Sequence, residues 1–407
     1  MSSSGLSRRV RSGDLHSLED ASVKYRLTCL TPVLVGDGSK LSPIDYMVWK
    51  DHVNVLDQRR IFNLLAKGPR LDNYLKQLKQ AEKLDFASWG GFAQNFAGRR
   101  IPFEHPSLTA HWENAKSDSL HIPIFFAGSA GPYLPGSAIK GALRTGLVFE
   151  GLKAYGLERV AARFRSERTP KRPAEPVEEE TVGGNGRCRM RVVRIFDSKP
   201  VSFSSFKIYL LRISTLIARG REHYELGWKQ SPRGTVDAKR VDESAPIFAE
   251  MAVPGVVFEG AWQDNDFLAH AEVHRSLSWE EPVSRPKIFR AANEYAKSLI
   301  TLHKQYAESV GLSEVAESME NLRKRLTEIN GSGDACLLSI GWGGGLLGKV
   351  AWLQTEDQTY REIISQTPQY GKAISSLFPF PKTRRVVFLG NRPATLPGFA
   401  LLEVFSS

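Results

Sequence analysis

The chain has 407 residues, 42% of them hydrophobic, with a formal net charge of +11 and a pI near 9.5. That length allows two cores, since domains run about 100 to 200 residues, and the positive balance favours an anionic partner, nucleic acid before membrane. A run of about 18 apolar residues is missing and Met1 to Leu15 has no apolar block, so neither a membrane span nor a signal peptide is expected and the location expected is cytoplasmic.

Residues 1–20 are rich in Ser and Arg without periodicity and read as a flexible tail. Val23, Tyr25, Leu27 and Cys29 then alternate with Lys24, Arg26 and Thr28, a strand with one buried and one basic face. It runs into a loop, Thr31 to Lys40, whose Gly36 and Gly38 permit close backbone approach, and then into a hairpin of Asp45–Trp49 and Val53–Leu56. Residues 58–117 read as an inserted helical block with turns at Gly68-Pro69 and Gly90-Gly91 and a basic pair at Arg99 and Arg100. A helix is expected from Ser137 to Tyr155, ending at Gly156, and residues 165–187 read as a mobile loop. Strands follow at Arg191–Phe196, Phe206–Ile213, Ala249–Val253 and Val256–Trp262, long helices at Lys287–Ser309 and Ser313–Glu328, and strands at Ala335–Ile340, Arg385–Leu389 and Phe399–Phe405. The irregular alternation predicts an α+β fold with antiparallel sheets in two domains, 21–245 and 246–407.

Two segments could hold an anion. In Pro135-Gly136-Ser137-Ala138-Ile139-Lys140-Gly141-Ala142-Leu143-Arg144, a helix start offers free N–H groups and the positive end of a dipole, with Lys140 and Arg144 one turn apart beside it. Ordinary capping with solvated cations explains the same residues. In Gly343-Gly344-Gly345-Leu346-Leu347-Gly348-Lys349 the spacing is that of a P-loop up to the lysine, but Val350 stands where Ser or Thr would hold magnesium, which excludes a nucleotide-hydrolysing loop. A nest for RNA phosphates and a tight turn between buried segments are the two readings left.

Together these blocks resemble the RAMP proteins of CRISPR effector complexes, which are built from RRM-like (ferredoxin-like) folds. Thr31 to Gly38 with Leu41-Ser42-Pro43-Ile44-Asp45-Tyr46 resembles the family's first-strand block, Leu134 to Arg144 its helix block, and Ile340 to Gly345 its C-terminal glycine loop. With Pro381-Lys382-Thr383-Arg384-Arg385 and Leu396-Pro397-Gly398-Phe399, the pattern is most similar to the fifth-subunit family of type III-A (Csm) complexes, which caps the complex near the 3′ end of guide RNA.

The resemblance implies an RNA-binding subunit without cofactor, with guide CRISPR RNA, target RNA, neighbouring RAMP and small helical subunits and recruited host nucleases as partners, and no membrane. It implies RNA contacts at Gly36 and Lys40, at Gly136, Ser137, Lys140 and Arg144, at Gly343, Gly344, Gly345 and Lys349, and at Arg384 and Arg385. The repeated backbone relatives cleave target RNA with an aspartate after the first-strand block, where Asp45 falls. An exposed hairpin carboxylate is the preferred reading of Asp45, and a metal-dependent endoribonuclease the alternative. His52, His105, His111 and His121 are histidines of the kind guide-processing relatives use, but read as surface or structural. Trp49, Trp89 and Trp112 read as core, and Cys29, Cys188 and Cys336, too scattered for zinc or disulfide spacing, as core or surface thiols.

Overall fold

The computed structural model describes residues 23–405 apart from 67, 69, 81–94, 153, 168, 221–222, 232–235, 280–282, 369, 372–373 and 375–377. The tail of residues 1–20, Trp89 and the turn at Gly90-Gly91 lie outside the described residues. Strand β1 (Val23–Cys29) buries Tyr25, Leu27 and Cys29 and exposes Lys24 and Arg26, as the alternation predicts. After β2 (Lys40–Leu41), the hairpin of β3 (Tyr46–Trp49) and β4 (His52–Leu56) turns at Lys50, in the left-handed region with φ 54°. Helices α1 (Gln58–Leu65) and α2 (Arg70–Gln80) follow.

The inserted block is not wholly helical, because β5 (Ala97–Pro102) pairs with β4 and carries Arg99 and Arg100 as part of a three-stranded sheet. Gly98 and the paired arginines hide the period of two that would mark this strand. Beyond α3 (Leu108–Glu113) lie the short strands β6 (Ile122–Pro123), β7 (Ala127–Gly128) and β8 (Gly131–Pro132).

The helix expected at 137–155 is two helices. Helix α4 (Gly136–Gly151) stops at Leu152, and α5 (Ala154–Ser166) runs straight through Gly156. The space a side chain would take at Gly156 is filled by Leu152, whose Cδ1 lies 3.0 Å from the Cβ position, so this glycine serves packing. Nor is 165–187 a bare loop: α6 (Glu175–Val182) occupies its middle and buries Val177 and Val182.

The chain continues through β9 (Val193–Ile195), β10 (Phe206–Ala218), β11 (Tyr224–Lys229), β12 (Asp237–Ala238), β13 (Ile247–Ala252) and β14 (Val257–Asp264). Next come α7 (Ala271–Ser276), α8 (Arg285–Ser309), α9 (Ser313–Ile329), β15 (Ala335–Ser339), α10 (Gln358–Gln366), β16 (Thr383–Leu389), β17 (Arg392–Thr395) and β18 (Phe399–Phe405). The first large sheet has the order β15-β18-β1-β14-β9; the second runs β12-β11-β10-β16-β17, with β13 also on β10. Every pairing in both is antiparallel, in keeping with the predicted α+β class. Each sheet draws strands from both sides of residue 245, so the expected boundary at 245/246 does not separate them.

Helix α8 is the spine between two cores. Ser284 caps it, Pro286 fits its first turn, and at 25 residues it is about 37 Å long. Its first half places Ile288, Phe289 and Ala292 against the inner face of the first sheet, and its second half places Leu299, Ile300 and Tyr306 in the core shared with α9 and the second sheet. Asn293 blunts the edge of the first sheet: its Nδ2 donates to Ala335 O at 3.2 Å and its Oδ1 accepts from Leu337 N at 2.9 Å. Helix α4 crosses α8 at Gly146, where a Cβ would stand 2.8 Å from Ala292 Cα. Across the molecule, Glu250 on β13 is fully buried and its carboxylate is held by Arg99 of β5, with Nη1 to Oε2 at 3.2 Å.

Two substitutions test these joints. Gly146→Leu forces α4 off α8 and is expected to destabilise the chain by about 1 to 3 kcal/mol in denaturant unfolding; an unchanged midpoint would show that the close approach is not needed. Arg99→Ala strands a buried carboxylate and should cost about 3 to 5 kcal/mol, while Arg99→Ala with Glu250→Leu should recover much of that loss, because the charge leaves with its partner.

Candidate nucleic-acid interface

The segments that carry the sequence signal, far apart in the chain, meet in space. Trp342 N donates to Leu34 O at 2.7 Å, Gly398 N to Pro32 O at 3.0 Å and Ile340 N to Gly398 O at 2.7 Å, so the first-strand block, the glycine loop and the Leu396–Phe399 turn are laced together by backbone. Their glycines make this possible. Gly341 (φ 79°) would push a Cβ to 2.2 Å from Leu34 O, and Gly343 (φ 107°) to 2.6 Å from Pro397 Cγ. Gly343 is therefore a packing glycine, whereas nothing lies within 4 Å of the Cβ position at Gly345, and Gly344 is half-buried beside Ser339.

The helix start is not a vacant anion site. Pro135 is its N-cap, Ser137 makes no side-chain cap, and Gly136 N donates to Asp197 Oδ1 at 2.8 Å, so a carboxylate from 61 residues away already takes the positive end of the dipole. A Cβ at Gly136 would stand 2.3 Å from Ile195 O, which makes this glycine a contact with β9. Lys140 Nζ donates to Val193 O at 2.8 Å, and its half-burial, more than the nearby Arg194, holds its pKa below the usual lysine range. Arg144 pairs with Glu178 on α6 at 2.7 Å.

What α4 offers is its outer face. Ala138, Gly141, Ala142 and Thr145, spaced three and four apart, face Ser339, Ile340, Gly341, Gly348 and Lys349 across a groove of about 210 Å³. Gly141 is exposed, with nothing within 4 Å of its Cβ position. Lys349 is exposed at the opposite rim. Ser137 at the head of α4 and Gly36 and Lys40 in the loop after the first-strand block are exposed but do not line the groove. One wall is small side chains, the other is main chain, and a cation stands at the mouth.

The late arginines face inward. Arg384 lies over the Tyr306 ring at 4.4 Å and donates to His303 Nδ1 at 3.0 Å, Pro381 O at 2.6 Å and Thr383 O at 2.9 Å. Burial pulls its pKa down to about 10, with Tyr306 opposing. Arg385 lies over Trp342 at 5.0 Å, bracing the glycine loop from the second sheet, and burial lowers its pKa too.

Asp45 is half-buried and engaged, not an exposed hairpin carboxylate. Oδ2 accepts from Ser42 N at 2.7 Å and Ser42 Oγ at 2.6 Å, and Oδ1 accepts from Gln58 Nε2 at 3.0 Å. His52 pairs with Asp51 at 2.8 Å, His105 with Ser107 at 2.8 Å and His111 with Asn391 at 2.9 Å, while His121 is exposed. Trp49 packs in the small core under the β3–β4 hairpin, and Trp112 stacks edge-on to Tyr46 and donates to its hydroxyl at 2.9 Å. Cys29 and Cys336 are core thiols, Cys29 pushed by burial up to about 12, and Cys188 is half-buried. The sequence alone does not point to Asp197, Glu178 or the small face of α4. Only the small face leaves a local signal, its spacing of three, four and seven.

A family model for the RAMP superfamily matches residues 26–347. Among solved structures, the chain is similar to a chain from the cryo-EM structure of a Csm–crRNA–target RNA ternary complex of a type III-A CRISPR–Cas system, with 19% identity, 94% of this chain and 100% of that one covered, and a TM-score of 0.64. It is also similar to the crystal structure of T. onnurineus Csm5, with 17% identity, coverage of 92% and 99%, and a TM-score of 0.58. No curated protein matches it in sequence. At these identities the two structures share its fold, and the family match takes in about four fifths of the chain, including α4 and the glycine loop as far as Leu347: the chain belongs to the RAMP superfamily.

Proposed function

We propose that the chain is a non-catalytic RNA-binding subunit of a type III-A CRISPR ribonucleoprotein, which holds the 3′ region of guide RNA, supports guide maturation and target RNA recognition, and docks against neighbouring RAMP and small helical subunits. The observation that carries this reading is the groove between α4 and the glycine loop. A wall of Ala138, Gly141 and Ala142 lets a sugar–phosphate backbone come close to main chain, and Lys349 supplies charge at the rim. Such a surface reads phosphate and shape, leaving sequence to base pairing by the guide. The solved relative in a complex with crRNA and target RNA supplies the partner class.

Gly141→Glu with Lys349→Glu puts two carboxylates into the groove at an open helix position and an exposed side chain, so the melting curve should stay unchanged. RNA affinity of the full chain should fall at least about tenfold, and the slope of log affinity against log salt should flatten by about 0.7 for each phosphate of a single strand that is no longer neutralised. Unchanged affinity and slope would refute the groove as the RNA site.

The proposal of no catalytic centre rests on Asp45, whose two oxygens are occupied by the chain's own donors. Labelled guide and target RNA should remain intact with the protein and magnesium or manganese. Cleavage that disappears in Asp45→Ala would establish the alternative, a metal-dependent RAMP endoribonuclease.

A further inference from the structure

The first sheet has a second face. Tyr25, Leu27, Phe258, Trp262 and Val404 fill the core below it, and the residues between them point the other way. Strand register aligns Phe405 of β18, Lys24 of β1 and Ala261 of β14 in one row, and Phe196, whose N donates to Ala261 O, extends it past the end of β9. Phe405 is 37% and Phe196 42% exposed, and Lys24 between them is exposed. Three strand spacings set the two rings about 14 Å apart. The next row sets Arg26 between Glu403 of β18 and Glu259 of β14; its guanidinium lies over the Phe405 ring at 5.3 Å and its ion pair with Glu259 is loose at 3.7 Å. On the other side Arg194 stands opposite Gln263, exposed.

We propose that this outer sheet face is a second site for single-stranded RNA, separate from the groove, with bases stacking on Phe196 and on the Phe405–Arg26 pair and phosphates meeting Lys24 and Arg194. Exposed rings at fixed spacing on a flat sheet suit bases, since every base has a π face, and cations between rings suit the phosphates that link them. Charge complementarity confines the occupant. Glu314 and Glu317 of α9 line a cleft with Leu30 at the far end of β1; Arg325 lines it too but pairs with Glu328 at 2.8 Å, so the two carboxylates disfavour an RNA strand at that end. Helix α4 packs against the opposite, inner face, so one short RNA segment cannot fill the groove and this face together.

The test uses the full chain and a single-stranded oligouridine carrying 4-thiouridine, with photo-crosslinks mapped to peptides. Crosslinks are expected on peptides bearing Phe196 and Phe405, and these should persist in the Gly141→Glu, Lys349→Glu variant; their persistence there, even if groove crosslinks are absent throughout, upholds this site independently of the groove. Phe196→Ala with Phe405→Ala removes two rings that are more than a third exposed, and should abolish the sheet crosslinks and weaken oligouridine binding at least about fivefold, with an unchanged melting curve. Crosslinks and affinity unchanged by that double substitution would overturn the proposal. So would RNA binding that stays intact while a neighbouring subunit drops out of the assembled complex, since the face would then be a protein contact.

Discussion

The structure depends on how closely α4 can approach α8. At Gly146 the two helices meet with a Cβ position 2.8 Å from Ala292 Cα and 3.1 Å from Ala291 C, a separation that only a glycine facing alanines allows. Everything on α4 inherits its position from that contact. Ile139, Leu143 and Leu147 sink into the core under the first sheet, and the opposite face, Ala138 to Thr145, is thereby set at groove width from the glycine loop. A bulkier residue at the crossing would move the groove wall as a rigid body, because packed interiors transmit displacement instead of absorbing it.

The same economy holds for α8, which serves two cores and closes a sheet edge. Asn293 stands where its helix changes from one core to the other, and there it bonds both an N–H and a C=O of β15 that would otherwise lack partners. An amide supplies a donor and an acceptor at once, which no apolar residue and no single charge could do at this point. The edge strand is thus fixed next to the glycine loop that follows it, and two of the loop's three left-handed glycines, 341 and 343, dock on Leu34 and Pro397 instead of waving in solvent.

Much of the fold was legible in the sequence where one period rules a segment. The alternation of β1, the hairpin at 46–56 and the long helices α8 and α9 all stand within a few residues of their predicted limits. What failed was decided by distant partners. Gly136, Lys140 and Arg144 carry the features of a phosphate site, yet Asp197, Val193 and Glu178 fill them, and no local pattern announces a carboxylate 61 residues on. Arg384 and Arg385 are likewise expected at RNA from the family resemblance, but Tyr306 and Trp342 lie under their guanidinium groups. Strand β5 was hidden because its pairing with β4 supplies the order that Gly98-Arg99-Arg100 does not encode alone.

These corrections change the character of the site more than its location. With Lys140 engaged by the Val193 carbonyl and Arg144 paired with Glu178, the helix block contributes shape: a row of small residues on a helix whose dipole is already capped. The glycine loop contributes main chain held in left-handed turns, and Val350 in place of a hydroxyl removes the ligand a P-loop would give magnesium. Charge in the groove is left to Lys349 at the rim. A site built this way gains affinity from fit along an extended backbone instead of from one tight phosphate pocket, so each position contributes little and length of contact decides. That is the economy the proposed guide-holding role asks of the groove, which would have to take the backbone of any guide whatever its sequence, and under it the net charge of +11 need not be concentrated in the groove itself.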